Sequence, residues 1–381
     1  MPALHANRWW IGDKSRRQAA RPGLLKPEGQ SRYDGRQTVH EQHLFMNPKG
    51  KPGMRNLVTG GSGFLGSHLV EALVARGENV RALVRPTSDV AHLKNLGVEL
   101  AYGDLNEIPS LRAATQDIER IYHCAAFVSD WGTWDTFRRA NVTGLRNLLE
   151  AALEAEVGKF IHVSSTDVYG HPDYAADETA PYRLRGRPYG DTKIEAERLV
   201  WTYYRQHGLP VTVVRPATIY GPRSPTLVRQ IVELLKEGRM VHIGKGNKPA
   251  GLAYASNVVD VLLRAADTES SVGQAYNATD GSDVTWRQYV DRLAQIVGVR
   301  SPRVVIPYRL AYLTGWAMEK IYGAWRMERR PLLTRMAVEL FGTSQGFSIH
   351  KARRELGYEP QVDFDEGMRR VELWLRQTGS M

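Results

Sequence analysis

A single cysteine, Cys124, in 381 residues excludes an internal disulfide and fits a reducing compartment, so a cytoplasmic setting is expected. No run of 18 or more uncharged apolar residues occurs, so no segment reads as a membrane-spanning helix. No internal repeat is present, which excludes a solenoid, and no metal site is expected. Positive charge is also scarce where it would matter for nucleic acid. Of the net +10, the first 53 residues carry +6 (ten Lys/Arg against four Asp/Glu) and the remaining chain only +4. That leading stretch is rich in Arg, Gln, Gly and Pro without an apolar period, and reads as a disordered basic extension. Arg8, Trp9, Trp10 and Ile11 are followed by no apolar core, so it is not a signal peptide. Either it is an upstream extension, with Met54 as the natural first residue, or it is a functional basic arm. Nucleic acid is not an expected partner.

Glycine, by contrast, is abundant and concentrated where chemistry would use it. Residues 56–59 read as a short buried strand and 64–76 have the apolar spacing of a helix. Between them stand Gly60, Gly63 and Gly66 in G-x-x-G-x-x-G spacing. A strand turning sharply into a helix leaves free backbone N–H groups at the positive end of the helix dipole, where a pyrophosphate can approach. A second strand at 80–84 completes a β-α-β unit, so a dinucleotide site is favoured over an ordinary turn.

Further strands are expected at 98–102, 118–123, 159–163 and 211–214, alternating with helices at 137–155 and 189–206. That alternation implies an α/β fold with a doubly wound parallel Rossmann sheet. After about residue 222 it fails. Helices at 226–237, 258–266 and 285–297 are then separated by short strands near Val241, Tyr254 and Tyr276, which reads as a smaller substrate lobe. The expected organisation is therefore an extension over 1–53, a dinucleotide-binding core over 54–222 and a substrate lobe over 223–381. Arg85 follows the second strand, where an NAD site usually holds a carboxylate; an arginine there suits the 2′-phosphate of NADP, with Arg81 or Ser88 assisting, unless it is a solvated loop residue. Asp104 is placed to accept from an adenine amine, beside Leu105, and the small Ala125 and Ala126 allow close approach after the fourth strand.

Tyr189 and Lys193 are four residues apart on an expected helix and share one face. A free tyrosine, with a pKa of about 10, is a poor base at neutral pH. A neighbouring ammonium favours the phenolate, and the Ser165 hydroxyl at the end of the fifth strand can hold a substrate oxygen in line. Such a trio suits proton exchange with an alcohol while a nicotinamide exchanges hydride.

With these motifs in order, the chain from Arg55 onward resembles the extended short-chain dehydrogenase/reductase superfamily, of the NAD-dependent epimerase/dehydratase type. The matching segments are Thr59-Gly-Gly-Ser-Gly-Phe-Leu-Gly66, Gly103-Asp-Leu105, His123-Cys-Ala-Ala126, Asn141-Val-Thr-Gly144, Val163-Ser-Ser165, Tyr189-Gly-Asp-Thr-Lys193 and Arg215-Pro216. The resemblance implies Tyr189 as acid/base, Lys193 as its pKa-lowering and ribose-binding partner, Ser165 as the orienting hydroxyl and Asn141 as a helix or water-relay residue. It implies NAD or NADP held by Gly60, Ser62, Gly63, Phe64, Leu65, Gly66, Arg85, Asp104, Leu105, Ala125, Ala126, Tyr189, Lys193 and Pro216.

Within that superfamily two readings compete. Sugar-nucleotide epimerases and dehydratases usually carry an arginine that clamps a diphosphate before the late helix; residues 247–258 hold none, leaving Lys245 or Lys248 as substitutes. The Tyr254-Ala-Ser-Asn-Val258 turn and the tail at 347–360 look more like the 3β-hydroxysteroid and sterol-4-carboxylate 3-dehydrogenase branch. Similar sequences also reduce β-keto acids with long alkyl chains. Trp131 and Trp134 either line an apolar pocket or cover the core. The leading reading is thus an oxidoreductase of a hydrophobic secondary alcohol or ketone, with a nucleotide-sugar enzyme second and a cofactor-binding regulator without turnover third. Residues 307–327 read as a helix rich in Tyr, Trp and Leu that is interrupted by Arg309, Glu319 and Lys320. Its apolar face either lies in a membrane interface as a peripheral anchor or packs on the lobe or on a partner subunit, as in a homodimer.

Overall fold

A computed structural model describes residues 53–380 apart from 173 and 328. The basic extension therefore falls almost entirely outside the described residues. Seven strands form one parallel sheet: β1 (Arg55–Thr59), β2 (Asn79–Val84), β3 (Glu99–Tyr102), β4 (Arg120–His123), β5 (Lys159–Val163), β6 (Val211–Pro216) and β7 (Ala275–Ala278). Their spatial order is β7-β6-β5-β4-β1-β2-β3. The chain starts in the middle, winds outward through β3, then returns to β4 on the other side of β1. Two connections leave in opposite directions at β1 and β4, the switch point at whose C-terminal strand ends open α/β sheets bind their ligands.

Both faces of the sheet are apolar because both are covered. α1 (Phe64–Ala75) lies on one face, together with α4 (Ala255–Asp267). α2 (Gly144–Glu154) and α3 (Pro188–His207) pack with Leu57, Ile121, Phe160, Val211 and Val213 in the principal core on the other. A second core gathers Tyr220, Trp286, Tyr289, Leu293 and Met368 above the strand ends. α5 (Tyr308–Ala324) and α6 (Arg335–Gly342) pair with each other beside it.

Two sequence expectations are corrected here. The strand near Tyr276 does not stay in the second layer; Ala275 to Ala278 pair in parallel with residues 213–216 and close the main sheet. The chain thus returns to the first layer after entering the second. The expected single helix at 137–155 is also broken. It starts at Trp134, capped by Thr133, passes through a π-helical turn at Arg139–Thr143 and resumes as α2. Periodicity alone cannot reveal one inserted residue.

α3 is fastened to the sheet by buried charge. Glu197 pairs with Arg215 of β6 and accepts from Ser164 (2.7 Å) and Tyr182 (2.8 Å). Arg215 also donates to the Tyr169 hydroxyl at 2.6 Å. Removing one partner strands the other charge, so Glu197→Ala should lower stability by about 3–5 kcal/mol. Urea denaturation should show a lower midpoint with an unchanged slope. A loss below about 1 kcal/mol would show that the pair does not hold the helix.

Candidate active site

The glycine turn has the shape a pyrophosphate requires. Gly60 has φ +72°, and a Cβ there would stand 2.8 Å from the Ala125 nitrogen. A Cβ on Gly66 would stand 2.1 Å from the Gly60 carbonyl oxygen, so α1 can meet the turn only without one. Gly63 caps α1 without a side-chain hydrogen bond, and no acidic residue occupies the first helical turn. The N–H groups and the positive dipole end are therefore left for an anion. Ser62 is exposed in the turn, while Phe64 and Leu65 are half-buried in the helix's first turn. This cradle fits a dinucleotide.

The loop after β4 is tied to the same turn. Thr59 Oγ1 lies 2.8 Å from His123 Nδ1 and accepts from the Ala125 N–H at 3.3 Å. Ala126 is exposed beside it, and Pro216 ends β6 buried next to Ala278. Asp104 caps its own turn, accepting from the N–H and side chain of Asn106, both at 2.8 Å. Leu105 packs against Gly144, where a Cβ would come within 2.8 Å of its own. Arg85 is exposed at the end of β2, and its guanidinium makes no hydrogen bond or ion pair among the described residues; Ser88 Oγ accepts from its N–H at 3.2 Å. Arg81 cannot assist. Its guanidinium is held by Glu99 at 2.7 Å and by the carbonyls of Ala114 and Gln116, away from the strand's C-terminal end.

Ser165, Tyr189, Lys193 and Asn141 are all buried. Successive residues of an extended segment face opposite ways: Ser164 turns to Glu197, and Ser165 hydrogen-bonds the Tyr189 phenol. Asn141, in the π-helical turn, accepts from the Phe127 N–H at 2.7 Å and donates to the Phe127 carbonyl and Thr192 Oγ1, both at 3.2 Å. It thereby ties the loop after β4 to α3. π-Turns recur at functional sites because the extra residue re-aims a side chain.

The electrostatics differ from the sequence expectation in one respect. Tyr189 and Lys193 share a face of α3, yet the ammonium does not draw the phenol down. Burial pushes Tyr189 above its ordinary value, Asp167 pushes the same way, and only the Ser165 hydrogen bond opposes them. Lys193 Nζ donates instead to the Val163 carbonyl at 2.7 Å. Asp167 gives no sequence signal beyond lying two residues after Ser165. Thr192, inside the Y-x-x-x-K motif, likewise carries no sequence signal of its own, and only the fold brings it to Asn141. Trp131 Nε1 donates to the Met327 carbonyl at 3.2 Å and its ring meets Tyr322 edge-on. Trp134 lies under Arg138 at the surface. Lys245 and Lys248 are both exposed.

The family model described as the NAD dependent epimerase/dehydratase family matches residues 56–279. The chain is similar to a 4-hydroxy-2-methyl-3-oxo-4-farnesyl-3,4-dihydroquinoline-1-oxide ketoreductase of Stigmatella aurantiaca, 34% identical over 83% of this chain and 95% of that protein. It is 32% identical to a 3-beta-hydroxysteroid dehydrogenase of Mycolicibacterium neoaurum, over 82% of this chain and 89% of that one. Among solved structures, a dTDP-glucose 4,6-dehydratase from Streptomyces venezuelae with NAD and TYD bound matches with a TM-score of 0.71 at 25% identity, covering 86% of this chain and 98% of its own.

One consequence of burial can be measured without substrate. Burial, opposed by Glu197, Cys124 and Asp167, lowers the Lys193 ammonium from 10.5 to about 8. Between those values this lysine holds its proton in the unfolded chain and not in the folded one, so its contribution to stability rises with pH across that window. The rise should be on the order of 2–3 kcal/mol. Buried Cys124 and Tyr189 act in the opposite direction, so the increment is read as the difference in pH response between the wild type and Lys193→Met, from urea midpoints at pH 8 and pH 10. Equal pH responses in the two proteins would contradict it.

Proposed function

This chain belongs to the NAD-dependent epimerase/dehydratase family and is an NAD(P)-dependent enzyme acting on CH–OH groups; within that family we propose an oxidoreductase that interconverts a secondary alcohol and a ketone on a hydrophobic, sterol-like or alkyl β-keto substrate. The observation that carries the reading is the buried Ser165–Tyr189 hydroxyl pair beside Lys193, at the strand ends where the glycine turn opens. The Gly60–Gly66 backbone and the start of α1 would hold the pyrophosphate, Lys193 the ribose, and Asp104 the adenine. The bound nicotinamide supplies or accepts the hydride. Tyr189 exchanges the proton of the substrate oxygen, and Ser165, hydrogen-bonded to the same phenol, holds that oxygen in line.

The chain's own groups favour the protonated phenol. That form donates to a ketone oxygen as it is reduced, and the resulting phenolate takes the same proton back when the alcohol is oxidised. Residues 247–258 hold no arginine to clamp a sugar-nucleotide diphosphate, and the nearby lysines are solvated point charges. The two curated relatives described above carry names that place their own chemistry on a ketone and on a 3β-hydroxysteroid.

Turnover is tested with a panel of sterols, alkyl β-keto acids and sugar nucleotides, scored by absorbance of the reduced nicotinamide. Tyr189→Phe should lower kcat by about 10²–10⁴-fold while cofactor affinity stays within a few-fold. A variant with wild-type kcat would remove Tyr189 from the acid/base role, and turnover confined to sugar nucleotides would replace the substrate reading.

NADP is the proposed cofactor, because an unpaired Arg85 stands where NAD enzymes place a carboxylate. Arg85→Asp should weaken NADPH binding by roughly tenfold or more, consistent with the 1.5–3 kcal/mol of a charge-assisted hydrogen bond. It should leave NADH binding equal or better. Fluorescence titration with both cofactors reads the change directly. Equal ratios before and after substitution would show that Arg85 touches neither.

A further inference from the structure

α5 carries a face that nothing among the described residues covers. Ala311 and Gly315 are its buried residues, and a Cβ on Gly315 would lie 3.1 Å from the Thr334 carbonyl carbon. Glu319 turns the same way and pairs with Arg335 at 2.6 Å. At about 100° per residue these positions define the packed side, and Leu310, Leu313 and Ile321 lie round the opposite one. Those three are 56–61% exposed, and Trp316 is 46% exposed. Trp325 (78%) and Leu332 (59%) follow on the segment leaving the helix. The alternative that this face packs on the lobe is thereby removed.

Arg309, Lys320, Arg326 and Arg329 are interleaved with these apolar residues. All four are exposed, and none forms an ion pair among the described residues. An apolar stripe flanked by unpaired cations, with tryptophan among them, matches an anionic lipid surface in both polarity and charge. A second copy of the chain fits less well. A two-fold contact through this face would bring the same unpaired cations together, like charge against like.

We propose that α5 docks in the plane of an anionic lipid surface, with Leu310, Leu313, Trp316 and Ile321 at headgroup depth and the four cations among the lipid phosphates. The docked face is joined to the active site. Trp131, in the loop that leaves β4, holds the Met327 carbonyl, and neighbouring Asp130 pairs with Arg330. A lipid-dissolved substrate would thus be presented beside the strand ends. The docking itself rests on the surface alone and is independent of the substrate reading.

The test is co-sedimentation of the full chain with phosphatidylcholine–phosphatidylglycerol vesicles and with phosphatidylcholine vesicles. Binding should occur only to the former and weaken as salt is raised. Leu313→Glu should reduce the bound fraction by about tenfold at an unchanged urea midpoint. Leu373→Glu, an exposed apolar change on the last helix, should not. Lys320→Glu, which alters charge without removing apolar contact, should weaken binding at low salt. Absence of co-sedimentation at low salt would overturn the proposal. So would binding that survives Leu313→Glu, which would assign the attraction to the basic N-terminal stretch. Conversion of a dimer to a monomer by Leu313→Glu, with no vesicle binding by either protein, would assign the face to a second copy.

Discussion

The buried Glu197–Arg215 pair is the constraint on which the geometry of the candidate site depends. Burying two opposite charges is unfavourable unless further hydrogen bonds saturate them. Here Ser164 from the end of β5, Tyr182 from the loop before α3 and Tyr169 from the turn after Ser165 do so. Ser164 and Tyr182 donate to Glu197 while Tyr169 accepts from Arg215, and all three come from segments that frame the site. The pair therefore joins β5, β6 and α3 in one fixed relation. Lys193 and Tyr189 stand one and two turns earlier on the same stripe of α3, so the ion pair that fixes the helix rotation also aims the phenol at Ser165.

The second constraint is steric. The Gly60–Gly66 turn, the Thr59 hydroxyl and the loop at Ala125 are packed with no room for additional carbon atoms. Below them His123 and His162 stack at 5.6 Å, both held neutral far below the ordinary imidazole range, first by burial and then by the nearby Lys193 charge. A neutral, dry floor under Lys193 keeps that ammonium poorly solvated, which is why its pKa falls. The same dryness strengthens any interaction it makes with a bound ligand.

The second layer is coupled to the site through charge as well. Arg185 and Arg187, immediately before Tyr189, both donate to Glu339 of α6, at 2.8 and 3.0 Å, and Arg187 also reaches the Tyr312 hydroxyl of α5 at 2.9 Å. The first turn of α3 is thus held by the same helix pair that presents the exposed apolar face.

The sequence alone was sufficient for the order of β-α units, the glycine turn and the Ser165, Tyr189 and Lys193 trio. These features are local: a two-residue alternation, a helical period and a four-residue spacing are set by backbone geometry within a single element. Arg85 at the end of β2 was likewise legible, because it needs only the strand's end to be located. What remained hidden depends on contacts between distant segments. The π-turn that aims Asn141 is one residue inserted in an otherwise helical pattern. The return of residues 275–278 to the sheet edge is decided by which strand offers an open hydrogen-bonding edge. The elevation of the Tyr189 pKa comes from burial and from Asp167, and neither is encoded in the Tyr–Lys spacing. Whether the α5 stripe packs against the rest of the described residues was also undecidable from periodicity, since a packed and an unpacked face select the same apolar residues. The tertiary structure decided it through Gly315 and Glu319, which turn the opposite side of the helix inward.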